Sequence, residues 1–378
     1  MRLVFFSNYL NLHQVHLMDE FYALLGVDFR FVATLPRNSE ELKGGKDYSS
    51  RPYCILAGES DLGRQEAMLL ARKAEVCVFG ACSQEFALER AKQNRYGLSF
   101  EMGERWLKKG WMNVLSPVLI CWWINYRRYY HSRPFYKLCC SAFTAYDDRR
   151  LLAYKGRHYK WGYFTEVQKN GIDSFSKTHN SQLVKIMWCA RFLDLKHPEL
   201  VVQLARRLKD SDYRIGIDMY GEGVELEKTK KLCNSLNVSD IISFKGNVPN
   251  TEIIRAMHQH DIFLFTSDKN EGWGVVLNEA MSSRCAVVAS DIIGSAPFLI
   301  KDGYNGLLFK SGQIDSLYEK VTYLLDHPSR RQQMAEQGCR DMLRLWNPKN
   351  AAKSLLQLIN NLEEGRKTSI VEGPCSIA

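Results

Sequence analysis

Residues 260–305 read HDIFLFTSDKNEGWGVVLNEAMSSRCAVVASDIIGSAPFLIKDGYN. Two apolar runs, Ile262–Phe265 and Ala286–Ala289, have the length and composition of buried strands. Between them a glycine-rich turn leads into a helical run, Val275–Ser283. Gly272 and Gly274 allow a backbone to approach a ligand closely. A helix start presents N–H groups and a positive dipole end to an anion. Glu271 precedes that helix and Glu279 lies one to two turns inside it, so the carboxylates bracket a diphosphate-sized gap and accept hydrogen bonds from hydroxyls on either side. An anion flanked by two polyols describes a nucleotide-sugar.

Working outward, the second half opens on Leu183–Lys196, LVKIMWCARFLDLK, in which a strand ends near Cys189 and Arg191 and Lys196 enter a loop before a helix at Pro198. Ile215–Tyr220 is the next strand, closed by Gly221-Glu-Gly223; the third glycine of a dinucleotide fingerprint is missing, so this is a turn. A helix over Val224–Leu236, a strand at Ile241–Phe244 and the segment Lys245-Gly-Asn-Val-Pro249 follow.

The E-x7-E spacing in strand–loop–helix context resembles the family 4 retaining glycosyltransferases of the GT-B fold, and the resemblance covers about residues 183–346. It implies two Rossmann-like α/β domains facing a cleft, with a C-terminal helix packing back towards the first domain. It places Glu271 near the donor sugar and Glu279 on the ribose. Arg191 and Lys196 hold the diphosphate by the match to the family's "GRL…KG" element, with Ala190 and His197 replacing its glycines. Leaving-group charge grows as the glycosidic bond breaks, and fixed cations stabilise it most at that moment. Gly272, Trp273, Gly274 and Val275 join the donor site, and the base lies near Asn247 and Val248. Phe298 stands where the family usually has an acid. The implied reaction moves a sugar from a nucleotide-diphosphate sugar to a hydroxyl of a saccharide or lipid-linked glycan, with retention, in cell-surface polysaccharide synthesis. Catalysis then falls to Glu271, Arg191 and Lys196, with no cofactor and no metal. Hydrolysis or epimerisation of the donor, and a non-catalytic membrane-docked nucleotide-sugar-binding subunit, are the alternatives.

The first half follows the same α/β rhythm. Strand candidates are Leu3–Phe6, Phe29–Ala33, Tyr53–Leu56 and Val76–Phe79, with helices at His16–Leu25 and Arg64–Lys73. In such sheets ligands collect at the carboxyl ends of strands, which makes Asn8, Asn11 and His13 in the loop Ser7–Gln14 acceptor-side candidates. The glycine pair common in this loop of the family is absent, and His13 is either an acceptor group or an ordinary loop histidine. Glu101, Glu104 and Arg105 follow a further strand end; they bind acceptor hydroxyls or pair with one another on the surface.

Arg105–Tyr146 carries seven Lys or Arg, no Asp or Glu, and a dense aromatic set that includes Trp106, Trp111, Trp122, Trp123, Tyr126, Tyr129 and Tyr130. The apolar centre, Val114–Ile124, is too short to span a bilayer but long enough to lie in its interface, with Lys108, Lys109, Arg127 and Arg128 meeting anionic head groups. A buried helix with a basic rim has the same pattern. Residues 107–136 are accordingly expected to dock on an anionic membrane surface, and no nucleic acid partner is expected.

The net charge of +9 agrees with an anionic partner without naming it. Eleven cysteines form no C-x-x-C pair, and Cys139-Cys140 reads as two buried small side chains. MRLVFFSNYL is too short an apolar run for a signal peptide, so the expected location is the cytoplasm, on the inner face of the plasma membrane where docking occurs. Cys375-Ser-Ile-Ala378 fits a prenylation box by chance, and Asp210-Ser-Asp212 is a helix end and not a metal motif. The domains are expected at 1–165 (acceptor side) and 166–346 (nucleotide-sugar side), followed by a crossover helix at 347–366 and a mobile tail at 367–378.

Overall fold

A computed structural model describes residues 1–36, 47–108, 110–167 and 183–378. Lys109, and most of the connection read at Lys160–Thr178, lie outside the described residues. The chain divides into two compact units, Met1–Glu166 with Asn347–Ala378, and Val167–Trp346.

The first unit runs β1 (Leu3–Ser7), α1 (Leu12–Leu25), β2 (Phe29–Ala33), β3 (Cys54–Leu56), α2 (Asp61–Lys73), β4 (Val76–Phe79), α3 (Gln84–Gln93), β5 (Leu98–Gly103), α4 (Pro117–Asn125), β6 (Phe135–Cys139), α5 (Thr144–Arg150) and β7 (His158–Lys160). Its seven strands lie in the order β3-β2-β1-β4-β5-β6-β7, all parallel. Every residue of β1 and β4 is buried, as expected of parallel strands covered on both faces.

The second unit runs β8 (Val184–Cys189), α6 (Pro198–Asp210), β9 (Ile215–Tyr220), α7 (Leu226–Ser235), β10 (Ile242–Gly246), α8 (Asn250–Gln259), β11 (Ile262–Phe265), α9 (Val276–Ser282), β12 (Ala286–Ser290), α10 (Ala296–Leu299), β13 (Leu307–Phe309), α11 (Ile314–Asp326) and α12 (Pro328–Arg344). Its six parallel strands take the order β10-β9-β8-β11-β12-β13. Winding reverses direction between β1 and β4 in one sheet and between β8 and β11 in the other. Ligands in such sheets bind outside the strand ends at that reversal. The last helix, α13 (Pro348–Glu363), belongs to the first unit and packs on α1.

Three expectations change. The first helix begins at Leu12, because Asn11 caps it by accepting from the His13 N–H at 3.0 Å; Asn11 and His13 are therefore helix-start residues and not free loop. The docking stretch 107–136 does not end on the surface, since Phe135 and Tyr136 open β6, an internal strand paired between β5 and β7. The tail 367–378 is docked and not mobile. The Lys160 N–H donates to the Ser376 carbonyl (2.8 Å), the Cys375 N–H to the Lys160 carbonyl (2.7 Å), and Tyr159 bridges Ile377 antiparallel. Cys375 is fully buried, which also removes it from any prenylation chemistry in the folded chain. Among the described residues, no helix is long and apolar enough to cross a membrane.

Candidate active site

The reversal between β8 and β11 collects the predicted donor residues of the second unit. The β8 loop is clamped to its neighbours: the Ala190 N–H donates to the Tyr220 carbonyl (3.1 Å), Phe192 to Glu222 (2.8 Å) and Gly221 to Gly246 (2.8 Å). Gly221 and Gly223 have φ of +122° and +152°, and a Cβ there would lie 2.0 Å from the Ala190 oxygen and 2.3 Å from the Phe192 oxygen. Glycine is required at both for backbone to pack on backbone. That packing holds Arg191 out into solvent, exposed.

Lys196 ends a 3₁₀ turn, Asp194–Lys196. Its carbonyl accepts from the Thr266 hydroxyl (2.6 Å), which accepts in turn from the Trp188 indole (2.9 Å). His197 follows with φ +49°, in the left-handed region. This explains the family glycine at the position; here a histidine occupies it, held between Glu199 (2.8 Å) and Asp268 (3.6 Å). The hydrogen bond to Glu199 outweighs burial and raises its pKa.

The Lys196 ammonium forms an ion pair with Glu271, and it stands 5.8 Å from the Phe265 ring centre. The two residues come from the loops after β8 and β11, so the reversal has brought cation and carboxylate together. Gly274 has φ +78°, and a Cβ would sit 2.3 Å from the Phe265 ring and 3.4 Å from the Glu271 side chain. The turn thus presses Glu271 towards Lys196. Helix α9 then starts at Val276, with Val275 as N-cap and no side-chain cap bond.

Glu279, 8% exposed, accepts from the Asn250 amide at 2.9 Å. Burial raises its pKa, against the pull of that hydrogen bond. The Cys189 thiol, at the end of β8, is pushed up to about 12 by burial and then by the Glu279 charge. Glu279 is therefore close to the β8 end from which the loop carrying Arg191 and Lys196 departs. Asn250 escapes sequence reasoning, although an Asn directly after Pro249 at a helix start is a visible cue. It also joins Glu279 to the loop holding exposed Asn247 and half-buried Val248.

Trp273 needs correction as a donor-binding side chain. It is 2% exposed, its indole donates to Asn278 (2.8 Å), and its ring lies 5.9 Å from Trp346 and 6.4 Å from Phe298. It is core. Gly272 and Val275 are half-buried on the same turn.

The acceptor-side candidates all lie in the first unit. Asn8 closes a turn, accepting from the Tyr9 N–H (2.9 Å) and the Ser7 hydroxyl (3.2 Å). His13 is half-buried, and burial, then His16, lowers its pKa, so it is neutral at pH 7. Glu101, Glu104 and Arg105 do not pair with one another. Glu101 pairs with Lys137 (2.7 Å), Glu104 with Lys108 (2.9 Å) and Arg105 with Asp147 (3.2 Å). Lys137 is the residue missed here; a lone lysine inside the apolar strand FYKLC was its signal.

Against known proteins, residues 170–341 match the family model "Glycosyl transferases group 1". The poly(ribitol-phosphate) alpha-N-acetylglucosaminyltransferase of Staphylococcus aureus is 24% identical over 195 residues, covering 50% of this chain and 39% of its own length. An uncharacterized glycosyltransferase of Methanocaldococcus jannaschii is 26% identical over 198 residues, 52% of this chain and 50% of its own. The chain thus spans half or less of the length of these curated relatives. HepE of Anabaena, solved in complex with UDP, superimposes with a TM-score of 0.69 at 12% identity, covering 96% of this chain and 100% of that one. The lipopolysaccharide outer core galactosyltransferase WaaB gives 0.69 at 14% identity, with 97% and 99% covered. With the two doubly wound sheets, these likenesses identify the fold as GT-B.

Proposed function

We propose that the chain is a glycosyltransferase that moves a sugar from a nucleotide-diphosphate sugar to a hydroxyl of a saccharide or lipid-linked glycan, with retention at the anomeric carbon, in the synthesis of a cell-surface polysaccharide. The observation that carries this reading is the Lys196–Glu271 pair at the reversal point of the second sheet, with Arg191 on the same loop as Lys196 and Glu279 close by. Two relatives support it: one transfers N-acetylglucosamine to poly(ribitol-phosphate), and a second, from Bacillus subtilis, glucose to poly(glycerol-phosphate). HepE was solved with UDP-glucose.

In this reading a diphosphate replaces Glu271 as the partner of Lys196, and Arg191 supplies the second cation. The displaced Glu271 carboxylate is left to accept from sugar hydroxyls. Glu279, oriented by Asn250, accepts from the ribose. Side-chain cations meet the leaving charge in place of a metal, so turnover in EDTA should equal turnover without it. The departing phosphate takes the acceptor proton as the new bond forms on the same face.

A lipid-linked acceptor would be reached at a membrane surface. On α4 and the turn before it, Met112, Leu115, Val118, Trp123 and Ile124 are exposed, and the Arg127 guanidinium stands 5.8 Å over the Trp123 ring. An apolar face rimmed by arginine fits an anionic interface, and docking would place the enzyme on the inner leaflet.

The test is a panel of radiolabelled nucleotide-sugars, with and without saccharide acceptors, read by mass spectrometry. Transfer that is lost in Glu271→Ala is expected. A free sugar or an epimerised donor as the sole product at any acceptor concentration would overturn the reading.

A further inference from the structure

We propose that His197 is a positioning residue: as an imidazolium it ties the start of α6 to the turn that carries Glu271, and it makes the hold on a donor diphosphate depend on pH. Its effect on donor binding rests on the transferase reading; the tie itself does not.

His197 adopts a backbone conformation that glycine would take more easily. It closes the turn Asp194–Lys196 and stands at the N-cap of α6 with φ +49° and ψ +53°, and its side chain makes no cap bond. That left-handed conformation is open to glycine and unfavourable for a residue with a Cβ. Strain of this kind persists where the surroundings over-determine it, and it clusters at functional sites. The surroundings here are two carboxylates. Nδ1 lies 2.8 Å from Glu199 Oε1 on α6, and Nε2 lies 3.6 Å from Asp268 Oδ2 on the loop after β11. A neutral imidazole has one N–H, so it would turn a lone pair on one of the two anions; an imidazolium turns an N–H to each. The wider charge agrees, with Glu199, Asp268 and Glu271 set against Lys196 and His197. From α7, Lys228 is bonded to Glu225 and adds only the smallest attraction on Glu199.

Asp268 makes the tie bear on the site. Its N–H donates to the Leu195 carbonyl (2.9 Å), and its carbonyl accepts from the Glu271 N–H (3.1 Å). Its Oδ1 accepts from the Asn270 N–H at 2.7 Å. The turn ending at Glu271 is therefore built on Asp268, and His197, next in the chain to Lys196, joins Asp268 to α6. Protonated, His197 attracts Asp268 and adds a positive charge beside the cation that meets the diphosphate. Deprotonated, it loses that attraction, and the seam holds one more uncompensated carboxylate. The hydrogen bond to Glu199 raises the His197 pKa against burial. The imidazolium thus contributes stability that is full below the unfolded value of about 6.5 and is lost as pH rises through the higher folded one.

The experiment isotopically labels histidine Cε1 in the full chain and assigns the His197 resonance by His197→Gly, which suits the left-handed backbone. Without ligand the signal should titrate above about 6.5, and Asp268→Asn should lower its midpoint. UDP, GDP and ADP are then added as probes of the diphosphate hold. At least one should raise the midpoint on binding, and by linkage its affinity should fall as pH passes that midpoint. Below the midpoint His197→Gly should bind the same probe about tenfold more weakly, and it should lack the alkaline limb. A merely structural histidine would lower the thermal midpoint of His197→Gly and leave that limb in place. A His197 midpoint at or below about 6.5, one unmoved by Asp268→Asn or by every bound probe, or an alkaline limb that survives in His197→Gly overturns the inference. A chain that binds no probe and transfers no sugar sinks the transferase reading, and the ligand-free titration still decides the tie. Transfer by a chain whose His197 titrates at the ordinary value does the reverse.

Discussion

The two sheets are alike in topology and differ in what they carry at their carboxyl ends. In the second unit the strand-end loops are built from glycines and charge. Gly221, Gly223 and Gly274 each adopt a positive φ with a neighbour where a Cβ would be, and they bring Lys196 to Glu271. In the first unit the same region is walled by aromatic rings, and its charges are consumed in pairs, Lys137 with Glu101 and Arg105 with Asp147. Backbone squeezed against backbone suits a phosphate whose shape never varies. Rings stacked on one another, Trp122 on Tyr126 and Tyr130 on Phe135, and charges already paired suit a region that holds the fold together.

The largest effect expected from breaking this contrast is on stability, in the first unit. Lys137 is 1% exposed, burial lowers its pKa, and Glu101 more than restores it. Lys137→Met strands the Glu101 carboxylate and should destabilise the chain by about 3–5 kcal/mol in denaturant titrations. Deleting both charges, with Glu101→Gln added, should recover part of that loss. In the second unit the analogous change strikes turnover instead. Lys196→Met should lower transfer by about 10²–10³-fold while leaving the denaturation midpoint near wild type, because Lys196 and Glu271 are only partly buried. Gly274→Ala falls between these behaviours, with about 1–3 kcal/mol of strain from φ +78° and the Phe265 contact, read as a lower thermal midpoint together with weaker binding of a nucleoside diphosphate.

The smallest effect is a matter of pH. Burial raises the Glu279 pKa, so the ionised form is disfavoured in the folded chain. Ionisation therefore opposes folding as pH rises above the unfolded value and is relieved as pH falls through the folded one. Affinity for a nucleoside diphosphate should move the other way, weakening on acidification at a pH above the ordinary carboxylate range of about 4.3. Glu279→Gln should bind the nucleoside diphosphate about tenfold more weakly, show a flat pH profile by calorimetry, and melt slightly higher at neutral pH. A Gln variant that keeps the acid limb would remove Glu279 from the nucleotide site.

The fold of the second unit was largely legible in the sequence, and its candidate site could be read there because that site is local. Glycine positions, a helix start and two glutamates all fall within one strand–turn–helix, and Arg191 and Lys196 follow the preceding strand of the same reversal. Even there Trp273 misled, since its neighbours Phe298 and Trp346 are distant in sequence and only the fold joins them. In the first unit the informative contacts span far more chain. Glu101 meets Lys137, Trp122 and Tyr154, and no short motif records such a cluster. The helix read at His16–Leu25 starts a turn earlier, at Leu12, for a simpler reason: Asn11 reads as loop, yet a side-chain amide accepting from the His13 N–H is what starts a helix.

The docked segment 367–378 also has a bearing on how the chain behaves in solution. Strand β7 ends its sheet, and it is the Ser376 carbonyl, the Cys375 N–H and the Ile377 bridge that occupy its open side. The Arg149 guanidinium adds a hydrogen bond to the Ala378 carbonyl at 2.8 Å. Shortening the chain before Thr368 would bare a row of ladder groups, which in other proteins recruit a second molecule edge to edge. Aggregation and not lost turnover would then be the first symptom.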